Sequence, residues 1–181
     1  MRFASHYEPG TFNGYVLDIG PQFFLFALVS DGLRFNGFHC FRLSDVRRLQ
    51  APDKYARFHE AVLEKRGERI PRKPFVNVSS SAKLLLTANR AFPLLTIHRE
   101  RIDASVCWIG RVVDLRDGRV TLLEISPDAT WDDELGSYRL NEITRVDFGG
   151  DYEDALHLIG GSEYEDALQS IVGSSSSRKN R

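Results

Sequence analysis

Along residues 12–49 apolar positions alternate with polar ones, and the same alternation returns over residues 108–146. An offset of 96 carries Phe12, Gly14, Val16, Asp18 and Ile19 to Trp108, Gly110, Val112, Asp114 and Leu115, and Phe24, Val29, Ser30 and Phe35 to Val120, Ile125, Ser126 and Trp131. One inserted residue then makes the offset 97. It carries Phe41, Arg42, Leu43, Asp45, Val46, Arg48, Leu49 and Tyr55 to Tyr138, Arg139, Leu140, Glu142, Ile143, Arg145, Val146 and Tyr152. Alternation of period two is the signature of strands buried on one side. In each copy a strand built around a glycine reaches a turn, Gly20-Pro21-Gln22 or Arg116-Asp117-Gly118, and a second apolar run follows. This predicts a hairpin whose glycine lets the strand bend. A third strand ends at Phe41-Arg42-Leu43 or Tyr138-Arg139-Leu140. The apolar spacing then widens from two to three through Val46 and Leu49, or Ile143 and Val146, as one tight turn at Ser44-Asp45 or Asn141-Glu142 before a short closing strand requires. The expected fold is mainly β with flanking helices (α+β), containing tandem duplicated small barrels over residues 8–51 and 94–148. Val16, Leu25, Leu43, Val46, Val112, Leu122, Leu140 and Ile143 are expected to point inward.

Between the copies the period changes to that of helices. Asp53 is placed to cap a helix over 54–65 with Tyr55, Phe58 and Val62 on one stripe and Gly67 beyond its end. A basic, proline-containing connector over 66–73 follows. The serines at 79–81 precede a second helix in which Leu84, Leu85, Ala88 and Phe92 share a face until Pro93 stops it, and 94–99 reads as a strand. Near the C-terminus Tyr152-Glu153-Asp154-Ala155-Leu156 recurs at 164–168, where Ser162 and Glu165 make a capping-box pattern and predict a helix. The first copy of that pentapeptide is compatible with helix or strand. Residues 173–181, serine-rich and then basic, are expected to be disordered. The expected division is 1–75, a first barrel with its helix; 76–161, a helix with the second barrel; and 162–181, a terminal helix and tail.

The strand order with a tight turn before its last strand resembles the SH3-like and Sm-like small barrels. Phe41-Arg42-Leu43-Ser44-Asp45-Val46 and Tyr138-Arg139-Leu140-Asn141-Glu142-Ile143 stand where the Sm family has its second motif, and the likeness spans about 40 residues per copy. That family's first motif has an acidic residue and an asparagine after the strand glycine. Here the position six beyond Gly14 is Gly20 and the position six beyond Gly110 is Arg116, so the family's RNA-contacting residues are not carried over. The stretch 120–161, above all Ile125-Ser126-Pro127-Asp128-Ala129 and Ile143-Thr144-Arg145-Val146-Asp147-Phe148-Gly149-Gly150, also resembles a group of small bacterial proteins of uncharacterised function. This implies a bacterial source and no mechanism.

Composition adds a charge asymmetry. The 181 residues carry a net charge of −1, but residues 1–111 hold 17 Lys/Arg against 10 Asp/Glu and residues 112–181 hold 7 against 15. The halves are therefore +7 and −8. Fields of that kind steer partners, or a second copy, into contact, and a homodimer is expected. The longest apolar run, residues 23–29, is far short of a membrane span, so membrane association is not expected and the cytoplasm is the expected location. Cys40 and Cys107 lack metal-ligand spacing and are expected to be free thiols.

No catalytic constellation emerges, and neither enzyme activity nor a cofactor is expected. Asp147-Phe148-Gly149 spells the kinase metal-binding tripeptide without the other parts that phosphoryl transfer needs. His6, His39, His59, His98 and His157 are scattered and read as structural or surface residues. Asp18 with Asp114 and Ser30 with Ser126 recur at matched positions, which suggests hydrogen bonding at turns and strand ends. Asp128, Asp132, Asp133 and Glu134 crowd the loop that takes the inserted residue and form a candidate acidic partner surface; a calcium loop's spacing and glycine are missing. Arg42, Arg47, Arg48, Lys54 and Arg57 are the candidate nucleic-acid or partner-binding residues of a basic segment that continues through Lys65, Arg66, Arg69, Arg72 and Lys73, with Phe35, Phe38 or Phe41 available to stack bases if exposed. A sequence pI near 6.5 weighs against a dedicated nucleic-acid binder. The leading expectation is a non-enzymatic adaptor with an unidentified protein partner. RNA binding through the basic segment 42–73 is the competing one.

Overall fold

The computed structural model describes residues 1–5 and 11–178. Among these, ten strands and four helices form: β1 (Arg2–Ser5), β2 (Phe12–Ile19), β3 (Phe23–Val29), β4 (Phe35–Arg42), β5 (Val46–Gln50), α1 (Ala56–Lys65), α2 (Ser81–Ala91), β6 (Leu95–His98), β7 (Cys107–Arg116), β8 (Arg119–Ile125), β9 (Trp131–Arg139), β10 (Arg145–Phe148), α3 (Asp151–Gly160) and α4 (Tyr164–Arg178). The protein is mainly β with flanking helices.

The strands make one antiparallel sheet in the order β5-β1-β2-β3-β4-β10-β6-β7-β8-β9. The second five strands thus follow the order of the first five. Irregularities recur as well: the register shifts between Val16 and Asp18 and between Val112 and Asp114, and again at Ala27/Val29 and Leu123/Ile125. Such bulges bend the strand and deepen its twist. Gly14 and Gly110 serve the same bend, since a Cβ would lie 2.0 Å from the Ala27 carbonyl oxygen at the first and 2.2 Å from that of Leu123 at the second. The turns agree in chemistry too. Ser30 donates from Oγ and N to the Arg34 carbonyl, Ser126 does the same to Thr130, and Leu33 and Ala129 take matching positive φ values of 52° and 64°. The inserted residue is absorbed inside the sheet: Asp132, Asp133 and Glu134 stand between Trp131 and Leu135, opposite Glu124 alone.

Three apolar clusters hold the sheet. Leu84, Leu85 and Ala88 of α2 pack with Phe23, Leu25 and Cys40 from the first five strands and with Val120, Leu122 and Val146 from the second five, so one core spans both sets. Leu156 of α3 and Tyr164 of α4 pack with Leu94, Leu123, Ile125 and Trp131, and Gly160 accepts a 2.7 Å hydrogen bond from the Trp131 indole. Phe24, Phe26 and Phe41 form the third cluster with Phe12 and Val16. Pro93 ends α2 as expected, and Ser80 caps its start by accepting from Lys83 N.

Several expectations are corrected. The two runs of strands are joined by more than helices, since β10 hydrogen-bonds to β4 within one sheet. The strand expected at 94–99 forms as β6 (Leu95–His98), and the first run has a further strand ahead of the repeat, β1, which pairs with the closing strand β5. Leu43 is 41 % exposed, whereas Leu140 on the matching turn packs against the α2 core. Tyr55 and Phe58 face solvent, and α1 docks through Leu63 instead. Residues 151–160 are helical. The backbone continues as helix to Arg178 where disorder was expected, since extending a helix costs far less than starting one. Residues 179–181 and the start of the first expected barrel, at 8–10, lie outside the described residues.

Leu25, Leu122 and Ile143 are fully buried as the alternation required, while Val16, Val46, Val112 and Leu140 are half-buried. The close approach at Gly110 generates a test. Gly110→Ala is expected to destabilise the protein by about 1–3 kcal/mol through overpacking, read by urea unfolding. A variant as stable as the parent contradicts the contact.

Candidate functional site

The join between β4 and β10 brings together residues far apart in sequence. Register places Arg145 between Phe41 and His98, and Asp147 between His39 and Thr96. Opposed residues in a pleated sheet project to one side, so three strands, β4, β10 and β6, contribute to one polar row. Asp147 is hydrogen-bonded to His98 Nε2 at 2.8 Å and ion-paired with His39 Nδ1 and Arg145 Nε, each at 3.1 Å. Arg145 also pairs with Glu100 at 3.3 Å, and its guanidinium lies 5.5 Å from the Phe12 ring centre and 5.6 Å from that of Phe41. From α3, Glu153 accepts a 2.5 Å hydrogen bond from Thr96 Oγ1. The side chains are almost out of water, 8 % exposed at Arg145 and 3 % at Glu100.

Burial would raise the carboxyl pKa of Asp147. The charges of Arg145, His39 and His98 outweigh burial and hold it well below the usual carboxylate range. Around the cluster, Arg42 donates to the Ile143 and Leu140 carbonyls at 2.5 and 3.1 Å, Arg101 pairs with Asp45 at 2.6 Å, and Thr144 donates from its hydroxyl to the His98 carbonyl. The arrangement is a set of mutually paired charges at the join of the two five-strand runs, in which Asp147 Oδ1 and Glu100 Oε1 are met by ion pairs and not by hydrogen bonds. Cys107 lies opposite His98 and is exposed; partial desolvation and then the Asp147 charge push its thiol pKa up, which disfavours the nucleophilic thiolate. Among the described residues no group of His, Cys, Asp or Glu is placed to hold a metal ion, both cysteines are free, and no helix is long and apolar enough to cross a membrane.

The two outer strands carry the sequence-derived candidates. Arg47 and Arg48 are exposed on β5, which among the described residues pairs on one side only. Arg48 and Lys54 line a groove of about 420 Å³ together with Arg2, Thr11 and Gln50. Arg57 is exposed on α1, and Lys54 Nζ rests 4.6 Å from the Tyr55 ring centre. Arg42 is set apart, its donors engaged at the join and its guanidinium over the Phe23 ring. Phe41 is buried, Phe38 packs against the α2 core and Phe35 lies beside Tyr15, so this aromatic set is absorbed in packing.

At the opposite end of the sheet Asp132, Asp133 and Glu134 are exposed on β9. They were expected in a loop; pairing of Trp131 with Ile125 draws them into the strand instead. Asp128 remains in the turn, bonded to the Ser126 hydroxyl. Asp18 and Asp114 accept from the next backbone or a nearby basic group, Ile19 N and Lys73 for one and Arg116 for the other, as their matched positions suggested.

Sequence reasoning missed the cluster of His39, His98, Glu100, Arg145 and Asp147. One signal was present: Arg145-Val146-Asp147-Phe148 alternates charge with apolar bulk in a closing strand, so its charged residues occupy positions that a buried strand must pair. Because Asp147 titrates lower in the folded than in the unfolded protein, its stabilising contribution is complete above about pH 4 and is lost as pH falls through its folded value. Asp147→Asn is expected to cost about 3–5 kcal/mol at pH 7, the loss typical of breaking a buried pair, with the gap from the parent narrowing below pH 4. Urea unfolding across pH measures it, and a gap independent of pH contradicts the assignment. No family model, curated protein or solved structure matches this chain.

Proposed function

We propose that the protein is a non-enzymatic binding or adaptor protein of the cytoplasm, made of two tandem duplicated small barrels of SH3-like or Sm-like type, that acts through protein–protein contacts. The observation that carries this reading is that, among the described residues, the sheet ends on two strands that pair on one side and differ in charge, β5 with Arg47 and Arg48 and β9 with Asp132, Asp133 and Glu134. An open strand offers a row of unpaired backbone donors and acceptors to another chain, and surrounding charge selects which chain it takes. The repeated strand order, the bulges spaced by 96 residues and the matched Ser30 and Ser126 turns support the duplication. Barrel curvature is supported by the bulges and by the close approaches at Gly14 and Gly110.

The test is capture of partners by immobilised protein from its native host. Arg47→Glu combined with Arg48→Glu, or Asp132→Lys combined with Asp133→Lys, is expected to abolish capture while leaving the melting temperature within a few degrees, since the changes are on exposed side chains. Capture unaffected by both pairs, together with turnover in a general activity screen, overturns the reading.

A second reading is favoured by the groove lined by Arg2, Arg48 and Lys54, a concave basic surface suited to a phosphate backbone. In that reading RNA is the ligand. Its affinity then falls with salt at a log–log slope of about −0.7 per phosphate contact, and Arg47→Glu, Arg48→Glu and Arg57→Glu together abolish binding. Undetectable or salt-independent binding at low ionic strength removes it.

A further inference from the structure

The join inside the chain prescribes a contact between chains. At that join β4, fourth in order within its run, pairs antiparallel with β10, which closes the other run: Phe41 faces Arg145, Cys40 faces Val146, His39 faces Asp147 and Phe38 faces Phe148. The sheet's outer strands are the other members of the same two classes. β5 closes the first run as β10 closes the second, and β9 occupies the fourth place in the second run as β4 does in the first. We propose that β9 of one molecule pairs with β5 of a second copy in the register of the β4–β10 join, making a head-to-tail assembly.

Three observations carry this. The first is burial. Val146 at the internal join is fully buried, whereas Leu49, its counterpart on β5, is 57 % exposed; Cys40 is fully buried and its counterpart Ser137 on β9 is exposed. Inside the molecule both positions lie under α2 at the strand join, whereas their counterparts on the outer strands are left uncovered. The second is register. Transferring the join sets Arg48 opposite Tyr138, Leu49 opposite Ser137 and Gln50 opposite Gly136, and carries Asp132 and Glu134 to the end of β5 where Arg2 and Lys54 line the basic groove. The third is sign. The basic end meets the acidic one, which favours β9 on β5 over β5 on β5 or β9 on β9. The same register sets Arg47 opposite Arg139, a like pair that weakens the contact. A moderate, salt-sensitive association follows, because the attracting charges are exposed and screened.

Two different patches meet, so the contact is heterologous. Each added copy leaves another open β5 and β9, and the product grows until it closes as a ring or continues as a filament. This separates it from a two-fold dimer, in which each strand would meet its own equivalent. The inference deepens the edge-binding reading and rests on it, naming a second copy as the occupant of the open strands.

Directional cross-linking tests it. In a Cys107→Ser background, one protein carries Leu49→Cys and another Ser137→Cys; directly opposed residues in an antiparallel pair lie within disulfide reach. Mixed in equal amounts under mild oxidation at low salt, the two are expected to form a covalent heterodimer, while each alone stays uncross-linked. The yield is expected to fall several-fold in high salt or when Asp132→Lys and Asp133→Lys are added to the Ser137→Cys protein. Sedimentation of the unmodified protein is expected to reveal species larger than a monomer that dissociate with salt. Cross-linking of the Leu49→Cys protein with itself but not with its partner, or absence of cross-linking in a protein that sediments as a monomer at high concentration, overturns the proposal. A monomer whose partner capture is still lost with the edge substitutions overturns self-pairing alone; a monomer whose capture ignores them overturns the edge-binding reading as well.

Discussion

The pairing of β4 with β10, sealed by the ion pairs of Asp147, is the constraint from which the rest of the architecture follows. Without it the chain would present two five-stranded pieces, each with two open edges. With it, two of the four edges are consumed, one core under α2 serves both pieces, and the remaining open strands are pushed to opposite ends of the sheet. Backbone pairing alone does not choose a register, since a slip of one residue offers nearly as many hydrogen bonds. The cluster does choose it. A slip would take Asp147 away from His39 and His98 and leave a buried carboxylate uncompensated, at a cost of several kcal/mol.

Bending is the second constraint. A ten-stranded sheet that stayed flat could not bury the aromatic cluster of Phe24, Phe26 and Phe41 on itself while also packing α2 elsewhere. The bulges after Val16 and Val112 and the glycines at 14 and 110 let the long second strand of each run turn over its neighbour. The inserted residue of the second run is tolerated because a bulge already exists there. Widening it from two residues to three places the acidic residues Asp132, Asp133 and Glu134 along an outer strand.

Charge distribution and topology then act together. Basic and acidic halves of a chain need not become basic and acidic edges of a sheet, yet here the strand order makes β5, with Arg47 and Arg48, and β9, with Asp132, Asp133 and Glu134, its two outer strands. Charges on open strands also discourage indiscriminate edge-to-edge aggregation, so the same residues serve solubility and selection of a partner.

Much of the strand content was legible in the sequence, because alternation and turn chemistry are local. Residues 12–49 and 108–146 announced their hairpins, the tight turns at Ser44-Asp45 and Asn141-Glu142, and the capping of α2 by a serine. What depends on partners distant in the chain was not legible. Arg2–Ser5 has no local signature and forms β1 beside the closing strand β5; β6 was legible at 94–99, but the paired environment of His98 on it was not. The basic and acidic surfaces were found by composition, but Arg42 left that set once the fold engaged its guanidinium at the join. The sequence by itself determined the strands, their turns and the sign of each half, since these follow from backbone preference and side-chain charge. Only the tertiary structure decided which strands meet, which charges are buried together and which remain at an edge, because those outcomes depend on contacts across roughly a hundred residues that no local pattern records.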